Sequence, residues 1–196
     1  MNPLLEEVQY VWQNAHCLWN RQEITCAMDA LAKKVSEKLH DENPVVLVVM
    51  TGGMVFATEL MIRLPFPLTV EYIQVSRYGD QQTGRELVWK TPVPAGLSGR
   101  NVLLVDDILD EGITLQALIA ECLRLGAASV QTAVLAEKQH ERKAAPEFHA
   151  NFTALTIPDC FIFGYGMDYR GYLRNAPGIY ALKADVVIPK SGYSSA

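Results

Sequence analysis

Cysteine is scarce in this chain. Among its 196 residues there are four, Cys17, Cys26, Cys122 and Cys160, and no two form a CxxC pair. That scatter lacks the usual zinc and dithiol spacings and reads as buried thiols in a reducing cytosol. Long apolar runs are missing too. The purest is VVLVVM, Val45 to Met50, where a membrane helix needs about 20 residues. The first ten residues, MNPLLEEVQY, have no basic segment followed by an apolar stretch, so no signal peptide is expected. Positive charge is outnumbered: 17 Lys and Arg face 22 Asp and Glu, for a net charge of −5. This argues against a broad nucleic-acid-binding face, though it leaves room for a local basic pocket. No repeat, low-complexity segment or strong domain boundary stands out.

What remains is an ordinary globular composition, 49% apolar and 20% charged, and enough chain for one compact domain. Asn2-Pro3 reads as an N-cap and first helical position, with Leu4, Leu5, Val8, Val11 and Trp12 on one face. A second helix follows Asn20, carrying Ile24, Ala27, Met28, Leu31, Val35 and Leu39 at spacings of three and four, and Asn43-Pro44 stops it. Val45 to Val49 is a β-branched and leucine run of the kind covered on both faces. Thr51-Gly52-Gly53 then turns into a helix reaching about Arg63. Strands are expected at Leu68–Ser76, Leu87–Thr91, Val102–Val105, Ser129–Ala136 and Phe161–Phe163. A helix is expected over Gly112–Leu125. Residues 77–86, RYGDQQTGRE, are polar with two glycines and read as a mobile loop. Alternating strands and helices predict an α/β fold, a parallel sheet core flanked by helices.

The stretch NVLLVDDILDEGITL concentrates the chemistry. An apolar strand runs into Asp106 and Asp107, then Asp110 and Glu111, then Gly112-Ile113-Thr114 opening a helix. In such folds, ligands bind beyond the carboxyl ends of the strands. The helix start offers backbone N–H groups and a positive dipole end to an anion, Thr114 adds a hydroxyl, and Gly112 permits close approach. One acid in a helix's first turn is ordinarily explained by the dipole. Four beside a phosphate cradle call for other targets. Vicinal sugar hydroxyls and a hard cation such as magnesium both suit carboxylates. A ribose phosphate carrying a metal-bound diphosphate satisfies every part.

VLLVDDILDEGITL closely resembles the phosphoribosyl-diphosphate signature of type I phosphoribosyltransferases. VVMTGGMVFATELM, SRYGDQQTG, the lysine of VLAEK and IPDCFIFGYGMDYRGYLR narrow the resemblance to the hypoxanthine-guanine branch. These segments span most of Val45 to Arg174, in the family's order. The resemblance implies the type I fold in a single domain, 1–196, with a small hood at about 158–190. It leaves an N-terminal helical extension at about 1–16.

By this resemblance Asp106 and Asp107 hold the ribose hydroxyls. The turn Asp110, Glu111, Gly112, Ile113 and Thr114 holds the 5′-phosphate, and Asp110 also faces purine N7 as general acid or base. Thr51 and Gly52 match the diphosphate-binding turn, where a cis peptide at Met50–Thr51 is usual, and Arg174 contacts the diphosphate. Lys138 donates to the 6-oxo group, Phe161 stacks on the purine, and Ile162 presents its backbone to the base edge. Asp168 lies near the magnesium-bound diphosphate, with Asp106 and Asp107 reaching the metal through water or ribose. Taken singly, Lys138 would pass for a surface lysine, Phe161 for a core aromatic, and Asp168 with Arg174 for a surface salt bridge.

Two positions depart from the family. Thr51 stands where Lys or Arg is common, and Arg77-Tyr78 stands where the mobile loop commonly begins Ser-Tyr. The expected function is therefore purine salvage, with magnesium-dependent transfer of phosphoribosyl from phosphoribosyl diphosphate to N9 of hypoxanthine or guanine. The expected setting is cytoplasmic, as a homodimer or homotetramer, with no nucleic acid or membrane partner. A nucleotide-sensing regulator that binds RNA or DNA is one alternative, disfavoured by the acidic charge. A response-regulator receiver is another, since VLLVDD also begins many receivers. It is disfavoured because about a hundred residues precede the acid pair.

Overall fold

A computed structural model describes residues 2–78 and 86–182. Its centre is a six-stranded sheet in the order β4-β3-β2-β5-β6-β7. The strands are β2 (Val45–Met50), β3 (Thr69–Tyr78), β4 (Glu86–Trp89), β5 (Asn101–Leu109), β6 (Ser129–Gln139) and β7 (Phe152–Pro158). All neighbours pair in parallel except β3 with β4, which form an antiparallel hairpin.

The apolar runs make sense because both sheet faces are covered. Val46 and Val48 of β2, with Leu103 and Val105 of β5, join one core with helices α2 (Arg21–Leu39) and α3 (Gly53–Met61). Val45, Leu47 and Val49, with Val102 and Leu104, point the other way and pack on α4 (Ile113–Arg124). Helix α2 starts at a capping box: the Asn20 side chain accepts from the Glu23 N–H, and the Glu23 carboxylate accepts from the Asn20 N–H. Such reciprocal caps satisfy two backbone donors that no helical turn can reach. Among the described residues, no helix is long and apolar enough to cross a membrane.

A smaller antiparallel sheet, β1-β9-β8, stands beside the main one. It joins β1 (Ala15–Trp19), β9 (Ile179–Leu182) and β8 (Ile162–Phe163). Helix α1 (Pro3–Asn14) packs on it through Val8 and Val11, against Phe163 and Tyr169. The buried Glu7 carboxylate accepts the Tyr169 hydroxyl and a 3.3 Å contact from Arg170.

Several expectations need correction. Leu5 is exposed and Glu7 is buried; Trp12 keeps to the expected face, its ring meeting Tyr180 at 5.0 Å and Phe163 at 6.3 Å. The buried stripe of α1 is narrower than its apolar one because only part of the helix meets the small sheet. Cys17 and Cys26 are exposed, Cys160 is partly exposed, and only Cys122 is fully buried; all four are free thiols. Cys17 sits on the outer side of an edge strand, and Cys26 on the outer side of α2. Arg77 and Tyr78 continue β3 and pair with Leu87 and Glu86. Residues 77, 78 and 86 therefore belong to the hairpin, where cross-strand hydrogen bonds outweigh their polar character. The rest of the expected mobile loop, 79–85, lies outside the described residues, as do the Arg77 and Tyr78 side chains and the end of the expected hood, 183–190.

Candidate active site

The carboxyl ends of β2 and β5 converge on a cleft of about 330 Å³. Strand β5 runs four residues further than its apolar segment suggests, through Asp106 and Asp107 to Leu109. Its ladder to β6 holds the acidic residues in register. Asp106, Asp107, Asp110, Gly112 and Thr114 line the cleft from β5 and the following turn, Thr51 and Gly52 from the β2–α3 turn, and Asp168 and Arg174 from the segment after β8. Glu111 and Ile113, the other members of the predicted phosphate turn, do not line it. Lys138 reaches it through its bond to Asp110, whereas Phe161 and Ile162 do not line it.

The acids of the crowded turn sit in different surroundings. One Asp106 oxygen accepts the Asp107 backbone N–H at 2.9 Å. The Asp107 carboxyl leans over Gly52. Burial pushes it above the usual carboxylate range, although the Asp106 hydrogen bond and the Arg174 charge pull the other way. Asp110 accepts from Lys138 Nζ at 2.9 Å and contacts His140 Nε2 at 2.6 Å. Burial works to raise the Asp110 carboxyl as well. The hydrogen bonds and charges of Lys138 and His140 outweigh it and hold Asp110 below the usual range. At Asp110, repulsion from the neighbouring acids is thus offset by donors supplied from β6 and the loop after it.

Two glycines are required by shape. At Gly52 an added Cβ would lie 1.9 Å from Asp107 Oδ2 and 2.5 Å from its Cγ. Gly112 has φ 84°, a left-handed conformation that side chains disfavour, and its Cβ would meet the Phe148 ring at 2.8 Å. Gly112 is also the N-cap of α4, and no side chain caps that helix. A helix start of this kind leaves backbone N–H groups for an anion, and Gly112 and Thr114 line the cleft. The peptide between Met50 and Thr51 is cis, as the resemblance implies.

Gly52→Ala should therefore disturb the acidic cradle more than the fold. The Asp107 carboxyl must move aside, so KM for a sugar-phosphate substrate is expected to rise about tenfold or more, while the thermal midpoint stays within a few degrees because the clash is with a side chain and not with the backbone of the core. Steady-state kinetics beside a thermal melt checks both. An unchanged KM would show that Asp107 yields without consequence.

Arg174 and Asp168 hold each other. Arg174 Nη2 lies 2.6 Å from Asp168 Oδ1, and Nη1 donates to the Gly166 carbonyl at 2.7 Å. The other Asp168 oxygen accepts the Gly171 N–H. Phe161 is 52% exposed, its ring edge-on to Tyr169 at 5.7 Å and 89°. Ile162 is buried, with its backbone paired to Ala181.

This set of side chains matches a known family. Residues 18–170 fit the family described as phosphoribosyl transferase domain. The chain belongs to the phosphoribosyltransferase family. It is 34% identical over 170 residues to the hypoxanthine-guanine phosphoribosyltransferase of Streptococcus pneumoniae, covering 86% of this chain and 93% of that one. It is 30% identical over 184 residues to the hypoxanthine-guanine-xanthine phosphoribosyltransferase of Tritrichomonas foetus, covering 94% and 97%. Its fold is similar to a crystal structure of a hypoxanthine phosphoribosyltransferase from Staphylococcus aureus, with TM-score 0.79, 26% identity, and coverage of 86% and 91%. The receiver reading falls with this match.

Sequence reading missed two features of this phosphoribosyltransferase. His140 was not singled out, because a histidine two residues beyond a strand lysine carries no motif. Nor was the cluster behind Lys138, where Glu137 takes Lys143 at 2.5 Å, His149 at 2.5 Å and Thr153 at 2.9 Å. Burial would raise the Glu137 carboxyl, but these three donors hold it below the usual range. The cluster ties β6 to β7 and to the loop between them.

Proposed function

We propose that the protein is a purine-salvage enzyme that transfers phosphoribosyl from phosphoribosyl diphosphate to N9 of hypoxanthine or guanine, giving IMP or GMP and diphosphate. The observation that carries this reading is Lys138 paired with Asp110 at the edge of the acidic cleft. A donor for a 6-oxo group and a proton-exchanging carboxylate stand together where a purine would meet the sugar.

Asp106 and Asp107 take the ribose hydroxyls, and the Asp110–Thr114 turn takes the 5′-phosphate on the N-terminus of α4. The Thr51-Gly52 turn and Arg174 face the diphosphate. Thr51 gives that turn no charge of its own. Phe161 stacks on the base, and the Ile162 backbone reads its edge. Asp168, bonded to Arg174, would lie near the metal side of the diphosphate. The segment at about 158–190 serves as the hood, and the N-terminal extension at about 1–16 packs against it through α1. Positioning the base and sugar, and stabilising the departing charge, supply most of the rate.

Asp106, Asp107 and Asp168 line the cleft with carboxylate oxygens, the donor type a hard cation takes, although among the described residues no three such side chains stand together as a metal site by themselves. Magnesium is usually held by one or two carboxylates with water and substrate phosphates completing the shell. When bound, the cation would neutralise charge on the diphosphate.

The enzyme works in the cytoplasm and assembles as a homodimer or homotetramer. Val70 and Tyr72, two residues apart on one face of β3, are 51% and 59% exposed, which supports such an interface. The deciding assay gives purified protein phosphoribosyl diphosphate, magnesium and a panel of purine bases. IMP or GMP should form only when both co-reactants are present. No turnover with any 6-oxopurine, alongside tight RNA binding, would favour a regulator instead.

A further inference from the structure

The loop from His140 to Asn151 lies across the acidic turn. Its Ala144 N–H donates to the Glu111 carbonyl at 2.9 Å, and Phe148 occupies the space left by Gly112. Lys143 fastens it to Glu137, and Arg142 fastens it to Asp159 through two bonds of 2.5 and 2.8 Å. His140, at its start, is turned inward, with its side chain only 4% exposed.

Both ring nitrogens of His140 are fixed. Nδ1 accepts the Arg142 backbone N–H at 3.0 Å. An amide N–H can only donate, so Nδ1 holds a lone pair and the ring proton sits on Nε2. That proton is donated to Asp110 Oδ1 at 2.6 Å, while Oδ2 receives Lys138. The two oxygens of Asp110 therefore have different partners with different freedom. Lys138 has a flexible stem and can turn to a substrate oxygen. His140 is held from both sides and cannot.

We propose that His140 is a positioning residue for Asp110: it holds Oδ1 so that Oδ2 is the oxygen that exchanges a proton with the purine. The inference rests on the reaction proposed above. As N9 bonds to C1′, the C1′–O bond to diphosphate breaks and its electron pair leaves with diphosphate. The proton on N7 passes to Oδ2, which Lys138 has vacated for the 6-oxo oxygen. Without His140 the carboxylate would lose its remaining donor at that moment and could rotate. The other charged groups facing this pair are Lys138 on β6, Glu111 in the turn, and Arg142 with Asp159 at the far side of the loop.

The test compares His140→Leu with His140→Gln in the full chain. Leucine removes the donor. Glutamine can place an amide N–H near the position of Nε2. For His140→Leu we expect kcat about tenfold lower, the size of effect that follows loss of one hydrogen bond to a charged group. KM for phosphoribosyl diphosphate should stay within about twofold. The acid limb of the kcat/KM profile should move to higher pH, because the ionised carboxylate has lost a stabilising donor. His140→Gln should recover most of the rate and return the limb toward its original place. A purely structural histidine would instead lower the thermal midpoint of both variants and leave the limb where it was, which overturns the proposal. So does His140→Leu with wild-type kcat and limb. Wild-type protein inactive on every 6-oxopurine would overturn the reaction itself. An active wild type with an indifferent His140→Leu would overturn only the role of His140.

Discussion

Asp110→Asn is expected to lower kcat by about 10²- to 10⁴-fold, the range typical of a lost general acid or base, while binding of phosphoribosyl diphosphate changes far less. Asparagine keeps the size of the side chain and one acceptor oxygen, but it cannot take or give a proton at this pH. In the free protein the carboxyl lies below the usual range, held there against its burial by Lys138 and His140. It is therefore ionised near neutrality and poised to accept. A depressed carboxyl is protonated only as pH falls through its lowered value, so the wild-type acid limb should sit at low pH, and the variant should lack that limb.

The substitution also leaves Lys138 without its counter-ion. That is why substrate binding must be measured separately, by titration or from KM when chemistry is slow. The Asp106→Asn, Asp107→Asn double variant should show the opposite split, with weakened binding of the sugar phosphate dominating. If Asp110→Asn kept near wild-type single-turnover rates, the proton-transfer role would have to be abandoned.

The division between what was legible in the sequence and what was not follows the range of the interactions. Val45–Val49 and Val102–Val105 could be read because burial on both sheet faces leaves a continuous apolar run. The acidic turn could be read because strand, carboxylates, glycine and helix are contiguous in the chain. Strand β9 and its partner β1 could not. They pair across more than 160 residues, with Ala15 opposite Leu182, and AHCLW has no alternating pattern to announce it. The burial of Glu7 was equally hidden, since its partners Tyr169 and Arg170 lie at the other end of the chain. His140 belongs to the same class. Its role comes from a loop that folds back over the acidic turn, and only the folded chain brings Nε2 to Asp110. The cysteines misled for a different reason: scatter in sequence says nothing about which side of a helix or strand a thiol occupies.

Lys138→Gln should change which bases the enzyme accepts. Hypoxanthine and guanine present an acceptor oxygen at C6, and adenine presents an amino donor. A lysine ammonium has donors only, so adenine would set two donors face to face. In a site shielded from water such a mismatch can discriminate by as much as about 10⁴–10⁵, and adenine should be a very poor substrate of the wild type. Glutamine offers both a carbonyl and an amide N–H. It should lower kcat/KM for hypoxanthine and raise the relative value for adenine.

Lys138 also bonds Asp110 at 2.9 Å, so the variant has a second effect. Loss of that cation lets the Asp110 carboxyl rise, and the acid limb for every base should shift to higher pH. The two effects separate cleanly. The shift of the limb acts on all bases alike, whereas the ratio of kcat/KM for hypoxanthine to that for adenine reports the contact at position 6. The measurement is that ratio in both proteins, taken on the pH plateau of each. A ratio that stays the same while the limb moves would leave Lys138 as the counter-ion of Asp110 and nothing more. A ratio that collapses toward the other base would assign it the reading of the purine.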